Sequence, residues 1–134
     1  MHNRYILLLL YALVLMKVNI SSNHLCCEDV LKAVFDLNTL DYHVFQCLRK
    51  QGPLRASEIA QRLQKERSTI YRSLQKLCSC NLCTKSTNNL PAGGYYHIYD
   101  CTDNHDVKQE LQHCIDTWYQ QVKHTLKRFD SEFN

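Results

Sequence analysis

From Gly52 to Leu77 the chain reads GPLRASEIAQRLQKERSTIYRSLQKL, and its apolar positions divide the stretch into two short helices. Ile59, Ala60 and Leu63 share one helical face, and Ile70, Leu74 and Leu77 repeat that pattern at i, i+4, i+7. Gln64-Lys65-Glu66 supplies a polar turn between them, with Glu66 placed where a side-chain acceptor can cap the second helix. Ser68, Tyr71, Arg72 and Gln75 then lie on the opposite, solvent-facing side, with Lys76 also carried outward. Upstream, Leu40, Val44, Phe45 and Leu48 mark a helix over 40–48 that starts near Asn38 or Thr39. Val30, Leu31, Val34 and Phe35 mark a shorter one over 28–35. Downstream, Leu82 to Thr87 alternates loosely as a strand, Asn88 to Gly94 is a turn cluster, and Tyr95-Tyr96-His97-Ile98-Tyr99 is a second strand. Helix, turn, helix, hairpin is the winged helix-turn-helix order. The predicted fold is therefore mainly α with a small β-hairpin, the winged unit spanning 26–102.

The segment 104–130 contains no Pro or Gly and reads as one long helix. Val107, Leu111, Cys114, Trp118, Val122, Leu126 and Phe129 succeed one another at spacings of three and four. So long a stripe exceeds what a small domain needs to cover itself. It is read as half of a two-stranded, antiparallel dimer interface anchored by Trp118. The competing arrangement folds the helix back onto its own domain.

Charge sharpens the picture. Between Arg49 and Lys85 nine basic residues face only Glu58 and Glu66, a net +7 inside a chain whose total is +3. A concentrated basic segment is the electrostatic footprint of a nucleic-acid binder; the bland alternative is a solvated basic surface with no partner. Helix N-termini also offer free N–H groups to phosphate. Lys65, Arg67 and Lys76 are the expected phosphate contacts, and Ser68, Tyr71, Arg72 and Gln75 the expected base readers, with Thr69 in the same first turns. Lys85 and Tyr96 would reach the sugar-phosphate backbone from the wing, while Tyr99 is expected in the core.

Several of these residues together resemble a known family. Asp36-Leu37-Asn38 before a helix, Gly52-Pro53, the Arg-Ser-Thr-Ile-Tyr-Arg-Ser-Leu run from Arg67, Gly93-Gly94-Tyr95-Tyr96 and Trp118-Tyr119 look like the compact archaeal winged-helix regulators of TrmB-like type. The similarity runs from about Val34 to Phe129. It implies a sequence-specific transcriptional regulator whose helix from Arg67 to Lys76 enters the major groove, and a homodimer that reads a two-part operator in double-stranded DNA. The chain departs from the pattern at Arg55, where a Ser or Thr cap is common, and in its cysteines from Cys78 to Cys83. The chain looks like the compact form that lacks a C-terminal effector domain, so the sugar sensing of longer relatives is not carried over. The competing function is a winged-helix module that docks on another protein of a nucleic-acid machine.

Eight cysteines are present. Cys47 and Cys114 fall on apolar helix faces and read as small buried hydrophobes. Cys78, Cys80 and Cys83 are different. If the hairpin folds about Asn89 to Ala92, Cys101 returns opposite Cys80 and four sulfurs gather at the base of the wing. Such a set could hold zinc or an iron–sulfur centre, or two thiols could form a redox-switchable disulfide, which would make the regulator a thiol or metal sensor. Ordinary buried thiols remain the favoured reading, with no cofactor. No nucleophile elbow, phosphate-cradling glycine loop or paired catalytic carboxylates occur, so enzyme activity is not expected.

The apolar segment within 1–18 is short for a membrane span, which needs about 20 residues. It resembles the core of a signal peptide, yet no small-x-small cleavage site follows. The preferred explanation is a true start at Met16; a membrane tether comes second. The protein is expected in the cytoplasm, without a membrane partner.

Overall fold

The computed structural model describes residues 26–133. The chain runs α1 (Cys27–Phe35), α2 (Thr39–Gln51), α3 (Ala56–Leu63), α4 (Arg67–Ser79), β1 (Cys83–Asn89), β2 (Tyr95–Cys101) and α5 (Asn104–Phe133). This is the predicted order, with both strands extended by two residues at their C-terminal ends and α5 reaching Phe133. The apolar stretch in 1–18 lies outside the described residues. Among those described, no helix is long and apolar enough to cross a membrane.

The helix starts follow from local chemistry. Asn38 Oδ1 accepts the Asp41 N–H at 2.8 Å and Asp41 Oδ2 accepts the Asn38 N–H at 3.0 Å, a reciprocal capping box that opens α2. Arg55, preceding α3, offers no side-chain cap, but its N–H donates to Glu58 Oε1 at 3.1 Å. Gly52 closes α2, its N–H donating to Leu48 O at 2.8 Å, whereas the left-handed helix ends use residues other than glycine. Asp36, Gln64 and Asn81 adopt φ of 54°, 54° and 62°, the left-handed region. Beside them Leu37, Lys65 and Leu82 donate back to the carbonyls of Lys32, Ala60 and Leu77, each at 2.9 Å. The Gln64 turn is the one that swings α4 away from α3.

Val44, Phe45 and Leu48 of α2, Ile59 of α3, and Ile70, Leu74 and Leu77 of α4 form the centre of the core, with Leu82 below them. Leu31 and Phe35 of α1, Tyr99 of β2 and Val107 of α5 close it. Side chains of this size each contribute about 1.5–3 kcal/mol on burial, so the three central helices are held chiefly by this cluster.

The two strands pair antiparallel from Cys83 opposite Cys101 to Asn89 opposite Tyr95. Cys101 therefore faces Cys83, not Cys80 as the expected turn required. Gly93 and Gly94 take φ of +95° and +85°, and Leu90 N–H reaches Gly94 O at 2.9 Å. Those left-handed glycines centre the turn on Ala92 and shift the register. A bridge from Leu54 to Tyr99, bonded in both directions at 2.9 and 2.8 Å, pins the hairpin to the segment between α2 and α3.

The stripe on α5 is divided in its use. Val107 is buried, and Leu111 and Cys114 pack against the domain's own core. These three, expected at a dimer interface, instead cover their own domain, because only Thr102 and Asp103 separate β2 from α5. Trp118 and Val122 are half-buried, whereas Leu126, Phe129 and Phe133 are 64%, 54% and 73% exposed.

Candidate nucleic-acid interface

Helix α4 has two chemically distinct faces. Ile70, Ser73, Leu74 and Leu77 are buried. Arg67, Ser68, Tyr71, Arg72 and Gln75 are exposed on the other side, with Lys65 exposed in the preceding turn and Thr69 half-buried at the edge. Glu66 occupies the capping position, yet its side chain makes no capping bond. The expected acceptor is therefore absent from the first turn of α4, where N–H groups lack partners within the helix.

Lys76 is not free to reach outward. Its Nζ lies 2.9 Å from Asp41 Oδ2, in an ion pair that joins α4 to α2. Asp41 is only 2% exposed, and its other oxygen accepts the Ser73 hydroxyl at 2.6 Å. Burial alone would raise the Asp41 carboxyl. Hydrogen bonds from Ser73 and the backbone, with the Lys76 ammonium, more than offset that and hold it below the usual carboxylate value. Lys76, expected to contact phosphate, is thus engaged in fixing α4 on α2. Asp41 precedes Val44 and Phe45 by three and four, and Ser73 precedes Leu77 by four, so both stand on inward faces.

On the wing, Lys85 is exposed and Tyr95 is 66% exposed, while Tyr99 is sealed in the core. Tyr96 is half-buried, with the Arg55 guanidinium carbon 3.7 Å from its ring centroid. That cation–π stack ties the start of α3 to the start of β2. It brings Arg55, absent from the expected set, to the same side as Tyr96. Only the hairpin register reveals this pairing, so spacing along the chain offered no cue beyond the charge itself.

The four-sulfur set does not assemble. Among the described residues no three His, Cys, Asp or Glu side chains gather as metal ligands, and the cysteines are free. Cys78 and Cys80 sit on the last turn of α4 and at its cap, while Cys83 and Cys101 face one another across the ladder. Burial pushes all four thiols above their ordinary value.

Comparison with known proteins gives this geometry its context. Residues 31–104 match the family described as the sugar-specific transcriptional regulator TrmB. Two uncharacterized proteins of Methanocaldococcus jannaschii are similar. MJ1503 is 26% identical over 105 residues, covering 78% of this chain and 80% of that protein. MJ1082 is 31% identical over 104 residues, covering 76% and 84%. Among solved structures, a possible transcriptional regulator from Methanosarcina mazei superposes with a TM-score of 0.70 at 26% identity, over 76% of this chain and 87% of that one. The ST1889 protein of Sulfolobus tokodaii shares the fold, with a TM-score of 0.59 at 18% identity over 70% and 92% of the two chains. The matched family is one of transcription regulators, not of enzymes, and the Methanosarcina mazei protein is a possible regulator. A helix-turn-helix with a pinned wing, matched over more than half of its length, places the chain in the TrmB family of transcriptional regulators.

Proposed function

We propose that the protein acts in the cytoplasm as a homodimer that reads a two-part operator in double-stranded DNA, each copy inserting α4 into the major groove. The observation that carries this reading is the split of α4 into a sealed face and an exposed one bearing Arg67, Ser68, Tyr71, Arg72 and Gln75. Lys65 and Arg67 supply phosphate contacts and salt-dependent affinity. Ser68, Thr69, Tyr71, Arg72 and Gln75 meet base edges, with Arg72 as a fork to guanine. Lys85 and Tyr96 lie against the backbone from the wing. The exposed C-terminal half of α5, with Leu126 and Phe129, supports a second copy of the chain as its cover.

Mobility shifts against promoter fragments at two salt concentrations test the reading. Arg72→Ala should cost about 1–3 kcal/mol and relax preference at one operator position. Uniform weakening on all sequences would demote Arg72 to a phosphate contact, and no shift of any fragment at low salt would sink DNA reading altogether. Light scattering tests the dimer, which a strictly monomeric mass at high micromolar concentration would exclude.

A further inference from the structure

We infer that Cys83 and Cys101 form a two-thiol oxidation site that closes a disulfide across the base of the wing when the protein meets a hydroperoxide. The ladder itself makes the case. Tyr99 spends both its N–H and its C=O on Leu54, at 2.8 and 2.9 Å, so neither points to β1. Lys85 and Tyr99 are therefore a non-hydrogen-bonded pair. Pairs alternate along an antiparallel ladder, which places Cys83 and Cys101, two residues on, in the same class. The Thr102 N–H to Leu82 O bond at 3.0 Å marks the hydrogen-bonded position next door. In non-hydrogen-bonded pairs the Cα atoms stand about 4.5 Å apart and the side chains approach on one face. Disulfides span Cα separations of about 4.4–6.8 Å, a range that includes the usual spacing of such pairs.

The two sulfurs have different access. Cys101 is half-buried, its S–H directed at the Thr102 carbonyl at 3.3 Å, and is the one a small oxidant reaches. Cys83 is 4% exposed and meets its neighbour rather than solvent. Burial pushes Cys101 up to about 11, although Arg49 pulls in the opposite direction, and burial raises Cys83 further still. Little thiolate exists at neutral pH, so the pair stays reduced under mild conditions and yields only to a sustained oxidant.

The chemistry balances. The Cys101 sulfur attacks the peroxide, an S–O bond forms, the O–O bond breaks, and the alcohol (water, for hydrogen peroxide) departs with the thiol proton. The Cys83 sulfur then attacks the Cys101 sulfenic acid. An S–S bond forms, the S–O bond breaks, and hydroxide leaves as water with the Cys83 proton. The two thiols together lose two electrons, and the peroxide gains them.

The test treats the full chain with hydrogen peroxide, blocks remaining thiols and maps the peptides by mass. The expected product is a Cys83–Cys101 link with a loss of about 2 Da, reversed by dithiothreitol and accompanied by a higher melting temperature. Cys101→Ser should abolish the link and leave Cys83 unmodified. Pairing of Cys83 with Cys78 or Cys80 overturns the inference. So does over-oxidation of Cys101 without a link, or a lower melting temperature in the oxidised protein. Should Cys101→Ser misfold, the peptide map of the unsubstituted chain decides alone.

Discussion

Helices α4 and α5 both carry a regular apolar stripe, yet the two stripes are used differently. On α4 every inward position is sealed: Ile70, Leu74 and Leu77 show no exposure. On α5 only Val107 is buried, Leu111 and Cys114 lean on the core, and Leu126 and Phe129 face outward. A short helix framed by two neighbours and a hairpin has its whole apolar face claimed by one domain. A helix of 30 residues outruns the domain it starts on. Periodicity thus tells which face will be covered, while the length of the helix relative to its neighbours decides by whom.

The contrast can be broken hardest at α4. Leu74→Ala should destabilise the protein by about 2–5 kcal/mol, since a fully enclosed side chain leaves a cavity; urea unfolding measures it. A loss under about 1 kcal/mol would mean that the centre of the core is loosely packed.

Asp41→Ala comes next, at about 2 kcal/mol, because it strands the buried Ser73 hydroxyl and the Asn38 N–H. The same latch sets a pH dependence. Its folded carboxyl lies below the unfolded value, so its contribution is present above the unfolded pKa near 4 and is lost as pH falls through the lower folded pKa. Acid unfolding of Asp41→Asn should accordingly be flatter in that window than that of the unsubstituted protein. Parallel acid profiles would show that the latch adds nothing to stability in this window.

Gln64→Gly should stabilise by about 0.5–1 kcal/mol, because the turn before α4 already holds a left-handed φ that glycine takes at no steric cost. Thermal melts read this, and a lowered melting temperature would contradict it. Smallest of all, Leu126→Ala should change the stability of the isolated fold by no more than about 0.5 kcal/mol while weakening self-association. A large loss of stability in dilute solution would show that α5 belongs wholly to its own domain.

Much of this arrangement was legible in the chain. The spacing of Ile59, Ala60 and Leu63 and of Ile70, Leu74 and Leu77 located both motif helices, and Gly93-Gly94 between aromatic and polar strands located the wing. Three things were not. Lys76 reads as an outward base when helix faces are counted singly, and only the facing acid on α2 turns it inward. The partner of Cys101 changed from Cys80 to Cys83 with the register, which two adjacent left-handed glycines decided. Arg55 gained its partner through a contact between segments some forty residues apart, which no local pattern encodes.

The stack of Arg55 on Tyr96 bears on how the wing would meet a duplex. With Leu54 bonded to Tyr99 at the root and Arg55 laid over Tyr96 further out, the hairpin is clamped to the start of α3 at two heights. On the proposed reading, a clamped wing cannot swing to follow a duplex whose grooves are wider or narrower than it expects. The double helix must do the fitting, and stretches that resist bending would be rejected at base pairs no side chain touches.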